Sequence, residues 1–289
     1  MSRRFLLPLA FALPLAGCEL FGLINGEAIE LPLDLTTPPQ DFDVTAGVTA
    51  VEQGACSDPA SAACATLTAI CQSEAARDCG TPTMPDTFPS QVEVVPGEPP
   101  VQARAMMDEL GVSEATEMEL ALPVDVAAAL ADEGVQTPDA VQNVSIDALV
   151  MEWPENTLTF DAPPLDLYIA KDPVEPGELD AEALIASGAV EKVGTIGLDV
   201  DGDGVIDIGQ RAGSTDPVDV AFVDGGNDLL SAAFRTAAFT VVTAVPEGKG
   251  LTLKEEGGRV TKPTGAGKVQ LKATLVFSVK ASDILGAAQ

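Results

Sequence analysis

Asp199-Val200-Asp201-Gly202-Asp203-Gly204-Val205-Ile206-Asp207-Ile208-Gly209-Gln210 sets carboxylates at alternate positions 1, 3 and 5 and a fourth at position 9. That spacing suits a hard cation. Ca²⁺ takes about six to eight oxygen ligands, and Asp side chains two residues apart on a tight turn converge on it. Gly204 at position 6 permits the sharp turn, Val205 offers a main-chain carbonyl at position 7, and Gln210 closes the run at position 12. Asp-Gly is also a common hairpin dipeptide. A hairpin needs one such pair, however, whereas these acids left unpaired would repel one another within a few ångströms. The expected cofactor is Ca²⁺, with Asp199, Asp201, Asp203, Val205, Asp207 and Gln210 as the expected ligands. Asp224-Gly225-Gly226-Asn227-Asp228 is a similar cluster, but it reads as a loop and helix cap.

Other chemistry is narrowed by what the chain lacks. Histidine is absent, which removes Ser-His-Asp and Cys-His machinery and every imidazole metal ligand. With 45 acidic residues, carboxylate pairs arise by chance and are no sign of catalysis. Trp153 and Tyr168 are single, so the aromatic platforms of sugar and single-strand binders are mostly missing. A formal charge of −30 disfavours nucleic acid and anionic lipid headgroups. The expectation is a non-enzymatic protein with a structural or interaction role. Two alternatives stand beside it: a binding module for an apolar or small ligand held between the sheets, and a carboxylate-based carbohydrate-active enzyme. The second would need two acids about 5–10 Å apart in a cleft.

Cys56, Cys64, Cys71 and Cys79 follow one another at intervals of eight, seven and eight. An even count in an exported chain implies two disulfides. The spacing lacks the Cys-x-x-Cys pairs of zinc and redox sites. On one continuous helix Cys64 and Cys71 lie about 10 Å apart, too far to bridge. That leaves 56–64 with 71–79, or 56–71 with 64–79. A helical hairpin turning near 66–69 would permit 56–79 with 64–71, although no Gly or Pro stands between the inner pair.

Two resemblances sharpen these expectations. The run 199–210 resembles the calcium loop of the EF-hand superfamily and those of dockerin and thrombospondin-type repeats, over these twelve residues only. It departs at Gln210, where the bidentate Glu of the family is replaced by one neutral oxygen, and its flanks look extended rather than helical. The resemblance implies a weakened calcium site. At the N-terminus Met1-Ser2-Arg3-Arg4 precedes an apolar run from Phe5 to Ala16, the order of a secretory leader. The run falls well short of the roughly 20 apolar residues of a spanning helix, and Pro8 and Pro14 interrupt it. Leu15-Ala16-Gly17-Cys18 resembles the lipobox of bacterial lipoproteins. That resemblance implies cleavage of residues 1–17, acylation of Cys18, and a protein held to the cell envelope by a lipid anchor. Glu19 in place of Asp points to the outer membrane, and other envelope proteins become the natural partners. Loss of the leader leaves 272 residues and a charge of −32, since Arg3 and Arg4 leave with it and no acid does.

The elements that must position the loop are strands. Apolar residues recur with period two at Val269, Leu271, Ala273, Leu275, Phe277 and Val279; at Ile29, Leu31, Leu33 and Leu35; at Phe42, Val44, Ala46 and Val48; and from Met118 to Val126. Further candidates are 144–153, 157–161, 165–170, 190–198, 218–223 and 238–245, with a hairpin turn at Glu155-Asn156. Pro32 and Pro123 place their strands at sheet edges or bulges. The fold class expected is mainly β: one antiparallel β-sandwich over 18–289, with a disulfide-stapled helical insertion over about 54–112. Within the insertion one helix is expected from Asp58-Pro59 to Asp78 and a second over Pro99–Gly111, with an extended Pro-rich linker between them. A shorter helix spans Asp180 to Ser187. Seven basic residues gather from Lys249 onward among only three acids, a segment suited to lie against the acidic remainder.

Overall fold

The structure is a computed structural model that describes residues 28–74, 78–116, 118–133, 135, 141–170, 174 and 180–280. The expected leader, Cys18 and Glu19 lie outside the described residues. The C-terminal alternation forms β14 (Ala266–Lys280), and Val269, Leu271, Ala273, Leu275 and Phe277 bury one of its faces. This strand is the spine of the fold. On one side it pairs antiparallel with β1 (Ala28–Thr36) and β2 (Gln40–Asp43), and on the other with β7 (Val141–Asn156). The sheet then runs through β10 (Val218–Phe222), β9 (Val190–Ile196), β8 (Leu165–Ala170) and β11 (Ala238–Ala244) to β6 (Leu120–Asp125).

β10 is the corner. Val218 and Asp219 pair with β7, whereas Val220, Ala221 and Phe222 pair with β9. A strand that changes partners half-way turns one sheet into two facing layers. The layers enclose a common apolar core in which Leu275 and Phe277 belong to the same buried cluster as Leu122, Leu167 and Val241. Each such side chain contributes about 1.5–3 kcal/mol when withdrawn from water. The chain is thus mainly β and antiparallel, as the periodicity implies. Pro32 and Pro123 sit on β1 and β6, the two ends of the strand order, where a missing N–H leaves no ladder bond unmade.

A helical region follows β2. It comprises α1 (Val44–Ala55), α2 (Ala62–Gln72), α3 (Ala103–Leu110) and α4 (Val112–Ala115). Two disulfides staple it, Cys56–Cys64 and Cys71–Cys79, one of the connectivities left open by the spacing. β4 (Gln91–Val92) pairs with β5 (Val101–Gln102) inside this region. β3 (Thr87–Pro89) joins it to the C-terminal half by pairing with β13 (Arg259–Thr261), which also pairs with β12 (Glu255–Glu256). Val48, Leu67 and Met106 of the helices share the buried cluster with the sheets.

Several local expectations are corrected. The strand expected through Phe42 to Val48 stops at Asp43, because the Asp43 carboxylate accepts from Ala46 N and opens α1, in which Val44 and Val48 stand one turn apart. Asp58 does not cap the second helix. It accepts from Ala60 N, and the cap is Ser61, whose hydroxyl accepts from Cys64 N. That helix stops at Gln72 rather than reaching Asp78. Nor does α3 begin at Pro99, since Val101 and Gln102 are taken by β5; it ends at Gly111, whose φ of 79° is left-handed. Glu155-Asn156 is not a hairpin: β7 continues through it, and the Asn156 amide donates to Arg211 O and Ser214 O. The stretch 157–161 is not a strand: Thr157 N and Thr159 N donate to Ala266 O and Thr264 O, and Asp161 makes an isolated bridge to Thr252. The strand from Met118 ends at Asp125, whose carboxylate caps α5 (Val126–Asp132). α6 (Ala181–Ser187) forms as expected between its Asp180 cap and Gly188, and α7 (Gly226–Ala233) follows β10. Among the described residues, no helix is long and apolar enough to cross a membrane.

Candidate functional site: the Asp199–Asp207 loop

The acidic loop leaves the end of β9 and is closed at its base by main-chain bonds. Leu198 N donates to Ile208 O at 2.7 Å, and Asp207 N donates to Leu198 O at 3.0 Å. One step further out, Gly209 N donates to Ala162 O at 2.7 Å, and Ala162 N donates to Gln210 O at 2.8 Å. Gly209 is needed here. A Cβ on it would stand 2.0 Å from Pro163 O, so any side chain would push the loop off the segment before β8.

Within the loop the carboxylates organise their own backbone. Asp199 accepts from Gly202 N at 2.6 Å with one oxygen and from Gly204 N at 2.8 Å with the other. Those two glycines have φ of 82° and 88°, a left-handed geometry that L side chains rarely adopt. Asp201 accepts from Asp203 N, Asp203 from Val205 N, and Asp207 from Val200 N. The N–H groups of Gly204 and then Gly202 hold the Asp199 carboxyl below its usual range.

Three of the expected ligands converge. Oxygen atoms of Asp199, Asp201 and Asp207 lie within 4.8 Å of one another. At that separation two unit charges repel by about 1 kcal/mol at the dielectric constant of water, and by several times more where the medium is less polarisable. Lys249 Nζ, 3.9 Å from Asp207, offsets part of this and was not foreseen, because a lysine 42 residues away carries no local signal. The arrangement offers a cluster of anionic oxygens suited to a hard cation, with Val205 in the same turn.

Asp203 and Gln210 stand apart from that cluster. The Asp203 carboxylate turns to Val205 N. Gln210 is 1 % exposed, and both ends of its amide are engaged at the base: the NH₂ donates to Asp216 O at 2.6 Å and the oxygen accepts from Arg211 N at 2.8 Å. Gln210 therefore fastens the loop to its neighbours, and the Glu-to-Gln departure at position 12 coincides with this structural use.

Most of the described basic residues are paired with acids of the same chain. Lys262 meets Glu52, Lys268 meets Glu155 and Asp41, Lys272 approaches Glu152, and Arg259 contacts Glu74. The basic C-terminal segment thus lies against the acidic chain, as its composition implies. Sequence inspection missed a second polar cluster. Asp166, 7 % exposed on β8, accepts from Thr195 Oγ1 at 2.7 Å, pairs with Lys192 at 2.7 Å and faces Tyr168 OH at 3.5 Å. Burial, and then the Asp166 charge, push the Tyr168 phenol up from its ordinary value. Strand alternation alone would expose Asp166, so only pairing across to β9 could have revealed it.

No protein-family model matches the chain, and no curated protein matches it. A solved structure that aligns with it is a chain of the semi-empty virus-like particle of giant freshwater prawn Macrobrachium rosenbergii nodavirus, determined by cryo-EM. The alignment covers 97 % of this chain and 94 % of that one at 12 % identity, with a TM-score of 0.25. A likeness so slight carries no inference about this chain.

Proposed function

We propose that the chain is an exported, lipid-anchored envelope protein with a structural or interaction role and no catalytic one, its β core steadied by Ca²⁺ in the Asp199–Asp207 loop. The observation that carries the calcium reading is the convergence of Asp199, Asp201 and Asp207 within 4.8 Å on a loop closed at its base. The cation would reduce the repulsion among these acids and hold the β9 end against the segment at 162–163. Binding the folded chain alone, it would raise stability by mass action. The loop would act as a staple and not as a sensor, because its flanks are bridged strands rather than helices free to open. Export is supported by the two disulfides, which persist in oxidising compartments. The lipid anchor rests on Leu15-Ala16-Gly17-Cys18. Two acyl chains or more are needed for stable anchoring, each buried methylene contributing about 0.8 kcal/mol.

The test of the anchor is mass spectrometry on protein recovered from the envelope of a bacterium expressing the full chain. An N-terminal peptide starting at an acylated Cys18, and release of the Cys18→Ser variant from the membrane fraction, support the proposal. An unmodified residue 18, or cleavage elsewhere, defeats it.

A further inference from the structure

β1 and β6 are the ends of the strand order, and among the described residues each has a neighbouring strand on one side only. Which main-chain groups of β1 face outward follows from its register. Thr37 N donates to Leu271 O, in a ladder that pairs Thr36 with Lys272 and runs without a shift to Ala28. Odd-numbered residues of β1 therefore exchange bonds with β14, and the even-numbered ones turn their N–H and C=O away from it. Pro32 falls on an outward position and blunts that half of the edge. Asp34 and Thr36 also fall on outward positions, and their main-chain groups face out ready for a ladder.

The curl of the sheet brings this open half of β1 opposite β6. Between them is a cavity of about 610 Å³, with Asp34 and Leu35 on one bank and Val124 and Asp125 on the other. Ala128 and Ala129 of α5 leave the room by being small. Asp34, Asp125 and Asp132 are the charged residues at its rim, and among the described lining residues there is no Lys or Arg. An open strand edge, an apolar trough and an acidic rim together define an occupant: main chain to extend the ladder, and cationic side chains to meet the rim.

We propose that this seam is a strand-addition site for an extended, lysine- or arginine-bearing segment of a partner polypeptide. The segment ladders on Asp34 and Thr36 and sets its basic side chains toward Asp34, Asp125 and Asp132. Neither the calcium loop nor the lipid anchor takes part, so this site stands or falls separately from them.

The probe is the capped peptide Lys-Val-Lys-Val-Lys-Val, titrated by calorimetry into the folded chain with its disulfides intact. Three relatives of the peptide are titrated alongside: one with Glu for Lys, one N-methylated at alternate residues, and the parent at raised salt. Binding of the parent, loss of binding with Glu, and at least tenfold weakening on N-methylation are expected. Thr36→Pro removes an outward N–H and should weaken binding at least tenfold. Asp34→Asn with Asp132→Asn alters exposed residues only, serves should Thr36→Pro fail to fold, and should weaken binding comparably. Equal affinity for parent and N-methylated peptides means mere attraction to an acidic surface and overturns the proposal. So does no binding at millimolar peptide. Sedimentation showing a dimer that Thr36→Pro abolishes would make a second copy the occupant and overturn it likewise.

Discussion

Glu52 ties three distant parts of the chain together, and removing it is expected to cost about 3 kcal/mol. It lies on the inward face of α1 beside Val48 and is 8 % exposed. Its Oε1 accepts from Met84 N at 2.7 Å and from Lys262 Nζ at 2.7 Å, linking α1 to the disulfide-stapled segment and to the chain entering β14. The Lys262 side chain is only 15 % exposed. Glu52→Ala leaves that ammonium ion and the Met84 N–H without their partner. Breaking a buried pair from one side costs about 3–5 kcal/mol, and the residual exposure of Lys262 sets the lower end. Glu52→Gln keeps an oxygen for Met84 and should cost less, about 1–2 kcal/mol. Glu52→Leu with Lys262→Met removes both charges but still leaves the Met84 N–H unpaired, so it should recover part of the loss and stay about 1–2 kcal/mol below the parent. Trp153, the single tryptophan and 1 % exposed, reports unfolding by fluorescence in urea. With a slope of about 2–3 kcal/mol per molar, a loss of 3 kcal/mol lowers the midpoint by about 1–1.5 M. A Glu52→Ala midpoint within about 0.3 M of the parent at unchanged slope would refute the assignment, as would a double variant no better than Glu52→Ala.

Tyr168 is the single tyrosine, and its phenol is raised by burial and by Asp166, so its absorbance change should come above the ordinary value of about 10. A folded value above the unfolded one means that this stabilisation is complete below about pH 10 and is lost as pH climbs through the folded value. Asp166→Asn should move the absorbance transition back toward that of free tyrosine, and a transition that stays put would count against the cluster. Cys71→Ser with Cys79→Ser opens a loop of sequence separation 8 and should cost about 2.5 kcal/mol from chain entropy, with hydrogen exchange rising in α2 before β14; uniform exchange across both would be contrary evidence. Gly209→Ala meets Pro163 O at 2.0 Å and should lower stability by about 2–3 kcal/mol in urea unfolding. Gly202→Ala, which meets nothing but has φ of 82°, should cost only about 1–2 kcal/mol in the same measurement.

The sheets were legible because a half-buried strand writes itself in alternation. β14 carries six apolar residues on one face, and Pro32 and Pro123 fell on the two edges where a missing donor does no harm. What the pattern hid was competition at strand ends. Val44, Ala46 and Val48 fit a strand by spacing, but Asp43 capping the Ala46 N–H tips the chain into a helix whose valines then fall one turn apart. Glu155-Asn156 reads as a turn because Asn favours turns between strands, whereas in the fold its amide serves the distant carbonyls of Arg211 and Ser214, contacts that no local signal announces. The loop was legible in Asp199, Asp201 and Asp207, whose spacing is local. The roles of Asp203 and Gln210 were not, since each is set by which N–H its side chain can reach in the folded chain.

The most direct measurement of the central claim is calcium titration of the folded chain, paired with melting in chelator and in calcium. Weak binding is expected, with a dissociation constant of about 10⁻⁴–10⁻³ M. One equivalent of heat should accompany it. At ten to a hundred times that constant the folded state should gain about 1.4–2.7 kcal/mol and melt correspondingly higher. Asp201→Ala with Asp207→Ala should abolish both the heat and the shift, each judged against the variant's own melting in chelator, since the bonds of Asp201 and Asp207 to Asp203 N and Val200 N go with them. Identical melting of the parent in chelator and in about 10 mM calcium, with no heat on titration, would contradict the account and leave the loop as a turn fastened by its own aspartates.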